Sequence, residues 1–401
     1  MDYNTFVSNI KHETIKSLQG YKIGVLGGGQ LGRMMLQEST TWDLDIYFLD
    51  KAFDYPVPSI YKRFQEGDFN NYKDVVDFGE KMDIITIEIE NVNTDALKHL
   101  ESLGKKVYPQ ASIIEIIKDK GLQKAFYDKE NIPSSPFIYE ESKASILKSI
   151  KEGKITYPFI QKSRLAGYDG KGVSAIISDG DLNKIIDAPS IIEELIDIKK
   201  ELAVIVSRNT SGELASFPVV EMVFNPKGNL LDYLICPSTI TEEVAAKCDQ
   251  IARTIISKLE MVGILAVEFF LTKSGEILVN EVAPRAHNSG HHTLNYNNYS
   301  QYNFHIRALL DLPFPPTRPL YTYGLMWNIL GEPGHTGPPH YEGIRDILEI
   351  EGVYPHIYGK KITKPLRKMG HINIVGDSRE EVLSKLDAVK NKLKVKTWSQ
   401  S

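Results

Sequence analysis

Residues 263–293 read GILAVEFFLTKSGEILVNEVAPRAHNSGHHT. Two apolar, β-rich runs flank Lys273-Ser274-Gly275, the composition of a short turn between paired strands. Each run carries one acid: Glu268 in ILAVEFFL and Glu281 in ILVNEVA. A carboxylate inside an apolar strand is costly unless it is paired or holds a metal. Two of them on adjacent hairpin strands fit a Mg2+ site facing nucleotide phosphates. The alternative is a pair of edge-strand acids directed to water.

Working upstream, residues from about 131 to 312 form a β-rich block with one long helical stretch, about 242–259. PFIQKSR, VSAIIS, SIIEELI, KELAVIVSR, FPVVEMVF and NLLDYLI read as strands, with turn chemistry at Asn225-Pro226-Lys227-Gly228. Antiparallel strands mixed with helices make an α+β unit. Gly167-Tyr168-Asp169-Gly170-Lys171-Gly172 lies between two of these strands. It is either a cationic loop that folds over polyphosphate and excludes water, or an ordinary glycine-rich hairpin. Lys162, on the preceding strand, is within reach of the same phosphates. In Glu193-Glu194-Leu195-Ile196 and Glu201, backbone groups suit an adenine edge and a carboxylate suits ribose hydroxyls, although paired glutamates also make a solvated face.

The first block opens with YKIGVLGGGQLGRMMLQ, residues 21–37. Residues 22–26, 45–49 and 84–89 read as strands, 31–38 as a helix, and a helical pattern over about 112–130 closes the block. Strands separated by helical patterns imply a parallel sheet with crossovers. Gly27-Gly28-Gly29-Gln30-Leu31-Gly32 matches G-x-G-x-x-G, and Asp50 follows 18 residues after Gly32, the outline of a dinucleotide fingerprint. The physical content is narrower. Glycines bring backbone close to an anion, and a helix N-terminus supplies N–H groups. A nicotinamide or flavin, another phosphate, or no ligand at all fits such a turn. Gln30 adds an amide that can bind a phosphate.

Pro313, Pro315, Pro316 and Pro319 mark a linker. Beyond it, YTYGLMWNIL and GHINIVG read as strands and about 379–393 as a helix. The divisions expected are an extension over 1–20 and domains over 21–130, 131–312 and 313–401. The 401 residues are 42% hydrophobic and 25% charged, which excludes disorder as the main state. A formal net charge of −5 argues against a nucleic-acid partner. Cys236 and Cys248 fit a reducing compartment and offer no zinc spacing. No apolar run has the length of a membrane span or a secretory leader, so no membrane partner is expected and the cytoplasm is the expected location.

These elements, in this order, resemble the ATP-grasp superfamily. GGGQLGRM, TIEIENV, GYDGKG, NEVAPRAHNSGHHT and RKMGH are more specific. Together they are similar to one branch, the ATP-dependent carboxylases that make N5-carboxyaminoimidazole ribonucleotide in purine synthesis. The likeness runs from about Lys22 to about Leu393. It implies a mixed α/β and α+β fold of ATP-grasp architecture. An N-terminal Rossmann-like parallel-sheet domain precedes a central ATP-grasp domain and a small C-terminal β-rich domain. The implied reaction phosphorylates bicarbonate with ATP to carboxyphosphate. The carboxyl group, or CO2 released from it, then passes to the exocyclic amine of 5-aminoimidazole ribonucleotide, leaving ADP and phosphate. The resemblance also implies ATP as co-substrate, Mg2+ and a homodimer.

Site residues follow from the same resemblance. Lys120 and Lys162 contact ATP phosphates, which Gly167, Tyr168, Asp169, Gly170, Lys171, Gly172 and Val173 cover. Glu193, Glu194, Leu195 and Ile196 hold adenine, Glu201 the ribose, and Asn280 lies beside the nucleotide. Glu268 and Glu281 bind Mg2+. Gly29, Gln30 and Leu31 line the ribonucleotide pocket, and Glu90 approaches its ribose. Tyr168, Asp169 and Lys171 lie near the imidazole and bicarbonate as catalytic groups. Asn288 and Ser289 contact the substrate, and Lys360, Arg367 and Lys368 hold its 5′-phosphate. Five of the nine residues from Lys360 to Lys368 are basic, a concentration suited to a phosphate dianion.

Two positions depart from the family pattern. Phe224, placed among the ATP contacts, stands where relatives carry a histidine, and His292 stands where tryptophan is expected. His287, His291 and His292 have no cysteine beside them and no established zinc spacing. Three rival readings stand beside the carboxylase. One is another ATP-grasp enzyme, such as a formate-dependent ribonucleotide transformylase or a biotin-dependent carboxylase. A nicotinamide-dependent oxidoreductase leaves the middle block unexplained. A non-catalytic nucleotide sensor is opposed by the retained acids and glycine-rich loop.

Overall fold

The structure is a computed structural model and describes residues 18–51, 55–165, 172–225 and 230–398. Among the described residues the strands form four sheets. The first is parallel, in the order Phe64–Glu66, Asp45–Asp50, Lys22–Leu26, Ile84–Ile87, Lys106–Val107. Ile23, Val25 and Leu26 are wholly buried, so this strand reads as a continuous apolar run rather than an alternating one. The strand order reverses beside Lys22–Leu26. At the carboxyl ends of that strand and its neighbour stand Gly27–Gly29 and Glu88, the switch point where such sheets take ligands.

The helical pattern expected over about 112–130 is two helices, Ala111–Lys118 and Lys120–Lys129. Asp119 separates them. Its backbone is extended, and its carboxylate accepts hydrogen bonds from the N–H groups of Gly121 and Leu122, an N-cap for the second helix. Arg164 grips the same carboxylate through Nε at 3.0 Å and Nη2 at 2.7 Å. The cap puts Lys120 at the first position of the second helix, with Lys124 one turn further along the same face.

The middle block contains a four-stranded antiparallel sheet, ordered Phe137–Glu140, Ser190–Glu194, Phe159–Ser163, Val173–Ile176. Its larger sheet starts with Ile277–Ala283, Gly263–Thr272, Ile198–Arg208, Val220–Asn225 and Leu230–Cys236. The expected third domain does not build its main sheet separately. Tyr323–Leu330, Lys368–Gly376 and Val353–Ile357 continue the large sheet, because Tyr323–Leu330 pairs with the otherwise open edge of Leu230–Cys236. Pro339–Glu342 and Lys394–Thr397 pair on their own.

Helix Gln301–Leu309 joins the first block to the second. Its Tyr302, Ile306 and Leu309 share a buried cluster with Leu31, Met34, Met35 and Val57. His305 Nε2 lies 3.0 Å from Thr86 Oγ1 of the parallel sheet. Glu38 accepts hydrogen bonds from Ser300 Oγ at 2.7 Å and Asn303 Nδ2 at 2.9 Å. No described helix is long and apolar enough to cross a membrane.

The attachment of Tyr323–Leu330 depends on a missing side chain. A Cβ at Gly324 would come within 2.5 Å of the buried Tyr296 ring. Gly324→Ala is expected to cost about 1–3 kcal/mol through overpacking. The urea midpoint measures it, and an unchanged midpoint would contradict this packing.

Candidate active site

Glu268 pairs across the sheet with both Ala203 and Glu281. Glu201 lies two residues from Ala203, so Glu201, Glu268 and Glu281 share one face of three adjacent strands. Burial, then the charges of Glu281 and Glu201, push the Glu268 carboxyl well above its ordinary range. Burial also opposes ionisation of Glu281, but the charges of Lys120 and Lys162 outweigh it and hold that carboxyl low. Burial and Glu281 raise Glu201 to about 7. His287 Nδ1 stands 3.6 Å from Glu268 Oε1, and burial keeps its imidazole neutral, with a pKa lowered to about 4.

Two lysines face these acids, and a third stands behind them at Glu193. Lys120 Nζ lies 3.4 Å from Glu281 Oε2. Lys162 Nζ is 2.7 Å from Glu193 Oε2 and 3.0 Å from Asn280 Oδ1. Lys124 Nζ takes the other Glu193 oxygen at 2.7 Å. The Glu193 side chain therefore turns inward, while Glu194 and Leu195 are exposed and Ile196 is half-buried. The solvated-face reading therefore holds for Glu194 but not for Glu193, the last buried residue of a strand that is buried from Ser190 through Glu193. Val173 pairs with Lys162 across adjacent strands, and Gly172 precedes it. Gly167, Tyr168, Asp169, Gly170 and Lys171 lie outside the described residues. Phe224 is half-buried and packs against an apolar cluster that includes Ala203 and Met222.

The glycine-rich turn is already occupied. Asp50 Oδ2 accepts from Gly28 N–H at 2.7 Å. Glu88 accepts from Gly29 N–H at 2.5 Å and Leu31 N–H at 3.2 Å. These are the donors a dinucleotide pyrophosphate would need. Burial and the neighbouring Asp50 raise Glu88 to about 7. The Leu31 side chain is buried in the domain core, while Gly29 and Gln30 remain half-buried at the turn.

Glu90 sits opposite Arg285, whose Nη2 donates to its Oε1 at 3.2 Å. Burial opposes ionisation, yet Arg285 holds the Glu90 carboxyl at about 2. The amide atoms of Asn288 are buried and make no hydrogen bond. Ser289 Oγ lies 2.9 Å from His287 Nδ1. From the third block, the charge of Lys368 acts on both Glu268 and His287. Lys360 Nζ donates to the Lys368 carbonyl at 2.7 Å, and Arg367 Nη1 to that of Ile362 at 2.6 Å. The three histidines considered for zinc go to different places. His287 meets Glu268, the His291 ring lies tilted against that of His371, and the buried His292 ring lies beside that of Tyr296.

Sequence reasoning passed over Lys124, Arg285 and Glu88. Lys124 carried a signal, since it is four residues after Lys120 on one helix face. Glu88 ends an apolar strand, the same context that singled out Glu268. Arg285 lies within the motif first quoted, but its partner Glu90 is 195 residues away.

The described geometry agrees with the comparisons. Residues 21–118 match the ribonucleotide synthetase preATP-grasp domain, 125–302 the ATP-grasp domain, and 324–385 the phosphoribosylaminoimidazole carboxylase C-terminal domain. Fold and matched segments thus define a chain of the ATP-grasp class. The N5-carboxyaminoimidazole ribonucleotide synthase of Staphylococcus aureus is 33% identical over 366 residues, covering 89% of this chain and 93% of that protein. The N5-carboxyaminoimidazole ribonucleotide synthetase structure from Thermotoga maritima matches with a TM-score of 0.86 at 38% identity, over 94% of this chain and 100% of that one. The chain belongs to the N5-carboxyaminoimidazole ribonucleotide synthase family. A synthase structure from Aspergillus clavatus, in complex with ADP and 5-aminoimidazole ribonucleotide, matches with a TM-score of 0.83 at 29% identity, over 93% and 98% of the two chains. The phosphoribosylaminoimidazole carboxylase of Candida glabrata is 36% identical over 92% of this chain, but the chain spans only 65% of that relative's length.

Glu201 makes stability depend on pH. Its carboxyl rises from an ordinary 4.5 to about 7, so the folded chain holds the proton more tightly than the unfolded one. Its contribution therefore becomes unfavourable as pH climbs from about 4.5 to about 7, then levels off. In the absence of nucleotide and metal, Glu201→Gln is expected to gain up to about 2 kcal/mol relative to wild type between pH 5 and pH 8. Thermal or urea unfolding at the two pH values measures this, and an equal difference at both would refute the assignment.

Proposed function

We propose that the protein carboxylates 5-aminoimidazole ribonucleotide with ATP and bicarbonate, giving N5-carboxyaminoimidazole ribonucleotide, ADP and phosphate in purine biosynthesis. The observation that carries this reading is the cross-strand pair Glu268–Glu281, beside Lys120 and Lys162 and within reach of His287 and of the charge of Lys368. Phosphoryl transfer needs charge neutralisation and positioning more than a covalent nucleophile, and this is what the arrangement offers.

The acids fit a divalent cation, because burial and then their mutual repulsion push the Glu268 carboxyl well above its ordinary range. Among the described residues no group of three or more His, Cys, Asp or Glu is arranged to hold a metal. That suits Mg2+, which takes one or two carboxylates and fills its remaining positions with phosphate oxygens and water. Bound at Glu268 and Glu281, it would supply charge neutralisation at the transferred phosphoryl group.

The chain's own groups do the rest. Lys120 and Lys162 hold the ATP phosphates, and the segment 167–173 covers them. The exposed Leu195 and the backbone of 193–196 receive adenine, and Glu201 the ribose. Arg285, fixed by Glu90, and neutral His287 orient the bicarbonate oxyanion near the γ-phosphate. Carboxyphosphate forms there as ADP departs. Asn288, Ser289 and the glycine-turn edge hold the ribonucleotide, whose exocyclic amine forms the new C–N bond as phosphate leaves and the amine gives up a proton. Lys360, Arg367 and Lys368 take its 5′-phosphate. The oxidoreductase reading loses its support because Asp50 and Glu88 already use the turn donors. A homodimer in the cytoplasm completes the reading.

ADP release from Mg-ATP tests it, with and without the ribonucleotide and with and without bicarbonate. Full turnover is expected only with both, with labelled bicarbonate entering an acid-labile product. Stimulation by neither would reject the reaction. Glu281→Ala should lower kcat/KM by about a thousandfold or more, and near-normal Mg2+-dependent turnover would remove the metal assignment. Arg367→Ala should raise KM for the ribonucleotide by about tenfold or more with a smaller change in kcat. An unchanged KM would remove the phosphate assignment.

A further inference from the structure

We infer that Lys124 is a positioning residue for ATP: by sharing Glu193 it leaves the ammonium of Lys162 with positive charge to spend on the nucleotide phosphates. The inference rests on the ATP reading of this site.

Lys124 is 2% exposed and Glu193 is 3% exposed. Lysines are almost never so buried without a partner. Here the ammonium has three acceptors: Glu193 Oε1 at 2.7 Å, Ser135 O at 3.0 Å and Ser134 Oγ at 3.2 Å. An ammonium has three hydrogens, so Lys124 is saturated and held in place. It cannot itself turn to a ligand without abandoning one of these acceptors.

Glu193 has a second cation in Lys162, 2.7 Å from Oε2. One lysine would satisfy a buried glutamate as an internal ion pair. Two ammoniums on one carboxylate leave a net charge of about +1, and the exposed end of that charge is Lys162. Lys162 spends two donors on Glu193 and Asn280, which leaves one for a phosphate oxygen. Without Lys124 the same Lys162 would become the sole counter-ion of a buried carboxylate. The group would then be neutral overall and would attract phosphate weakly. Lys120 and Lys124 thus act from one helix face, the first beside Glu281 and the second through Glu193.

Calorimetric titration with ADP, together with steady-state KM values, tests this in Lys124→Met, Lys124→Arg and Lys124→Met/Glu193→Gln. Lys124→Met is expected to weaken ADP binding and raise KM for ATP by about tenfold, while KM for the ribonucleotide stays within about twofold. Lys124→Arg retains the charge and should stay within about threefold of wild type. The double variant frees Lys162 from a carboxylate and should recover most of the lost affinity. Unchanged ADP affinity in Lys124→Met, or equal rises in both KM values, would overturn the inference. If Lys124→Met does not fold, the double variant decides, since it buries no unpaired carboxylate. Affinity within about threefold of wild type upholds the inference, and a loss as large as that of Lys162→Met overturns it. Wild type that binds neither ADP nor ATP would instead overturn the nucleotide reading.

Discussion

Glu268 and Glu281 stand directly opposite each other on two hydrogen-bonded strands, and like charges in that register repel. Burial strengthens the repulsion. The fold resolves it asymmetrically: Lys120 lies beside Glu281 and holds its carboxyl low, while burial and Glu281 push that of Glu268 up. Much else follows from this pair. Lys120 reaches Glu281 because Asp119 starts a new helix there. The same helix delivers Lys124 to Glu193, and Glu193 holds Lys162 against Asn280, the neighbour of Glu281. A chain of ionic and amide contacts thus runs from one sheet to the other.

The glycine-rich turn shows a different solution to the same problem of buried acids. Asp50 and Glu88 end parallel strands at the switch point, where each would be costly alone. They are satisfied by the turn's own N–H groups, the donors that make such turns attractive to phosphates. The turn's N–H groups are thus spent on these acids, and the glycines serve to bring backbone donors to carboxylates. A side chain at Gly27 would meet the Glu88 carboxylate at about 3.0 Å, and that residue's φ of +112° already favours glycine.

The strands were legible because their apolar runs are long and their turns carry glycine or proline. The face shared by Glu268 and Glu281 was legible too, since one short hairpin fixes the register of both. What escaped were partners set by tertiary contact. No local signal joins Glu90 to Arg285 or Lys124 to Glu193, whose elements meet only after the sheets pack. The helix break at Asp119 was hidden because Ser112 to Glu130 keeps a helical apolar pattern through a residue that is a cap. The continuity of the large sheet was hidden by the prolines after Leu312. They mark a real interruption of the chain, but strand pairing across it depends on an open edge more than on adjacency in sequence.

The pocket's three walls come from different blocks, so their relative position must be fixed by contacts that are insensitive to the chemistry inside. A stack of imidazoles meets that requirement. His291 follows the Asn288-Ser289 segment, and His371 follows Arg367 and Lys368. Their rings lie 4.7 Å apart, with His356 a further 4.4 Å from His371. Burial keeps His291 and His371 far below their ordinary pKa, with the positive charge of Lys368 adding to the effect at His291, and burial lowers His356 to about 4. All three are neutral near physiological pH, so they can touch without repulsion. Tyr358 Oη lies 3.0 Å from His371 Nδ1, and its carbonyl accepts from Arg33 Nη1 at 3.3 Å, tying in the helix behind the glycine turn. The frame thus stays uncharged over the range in which Glu88 and Glu201, both at about 7, titrate.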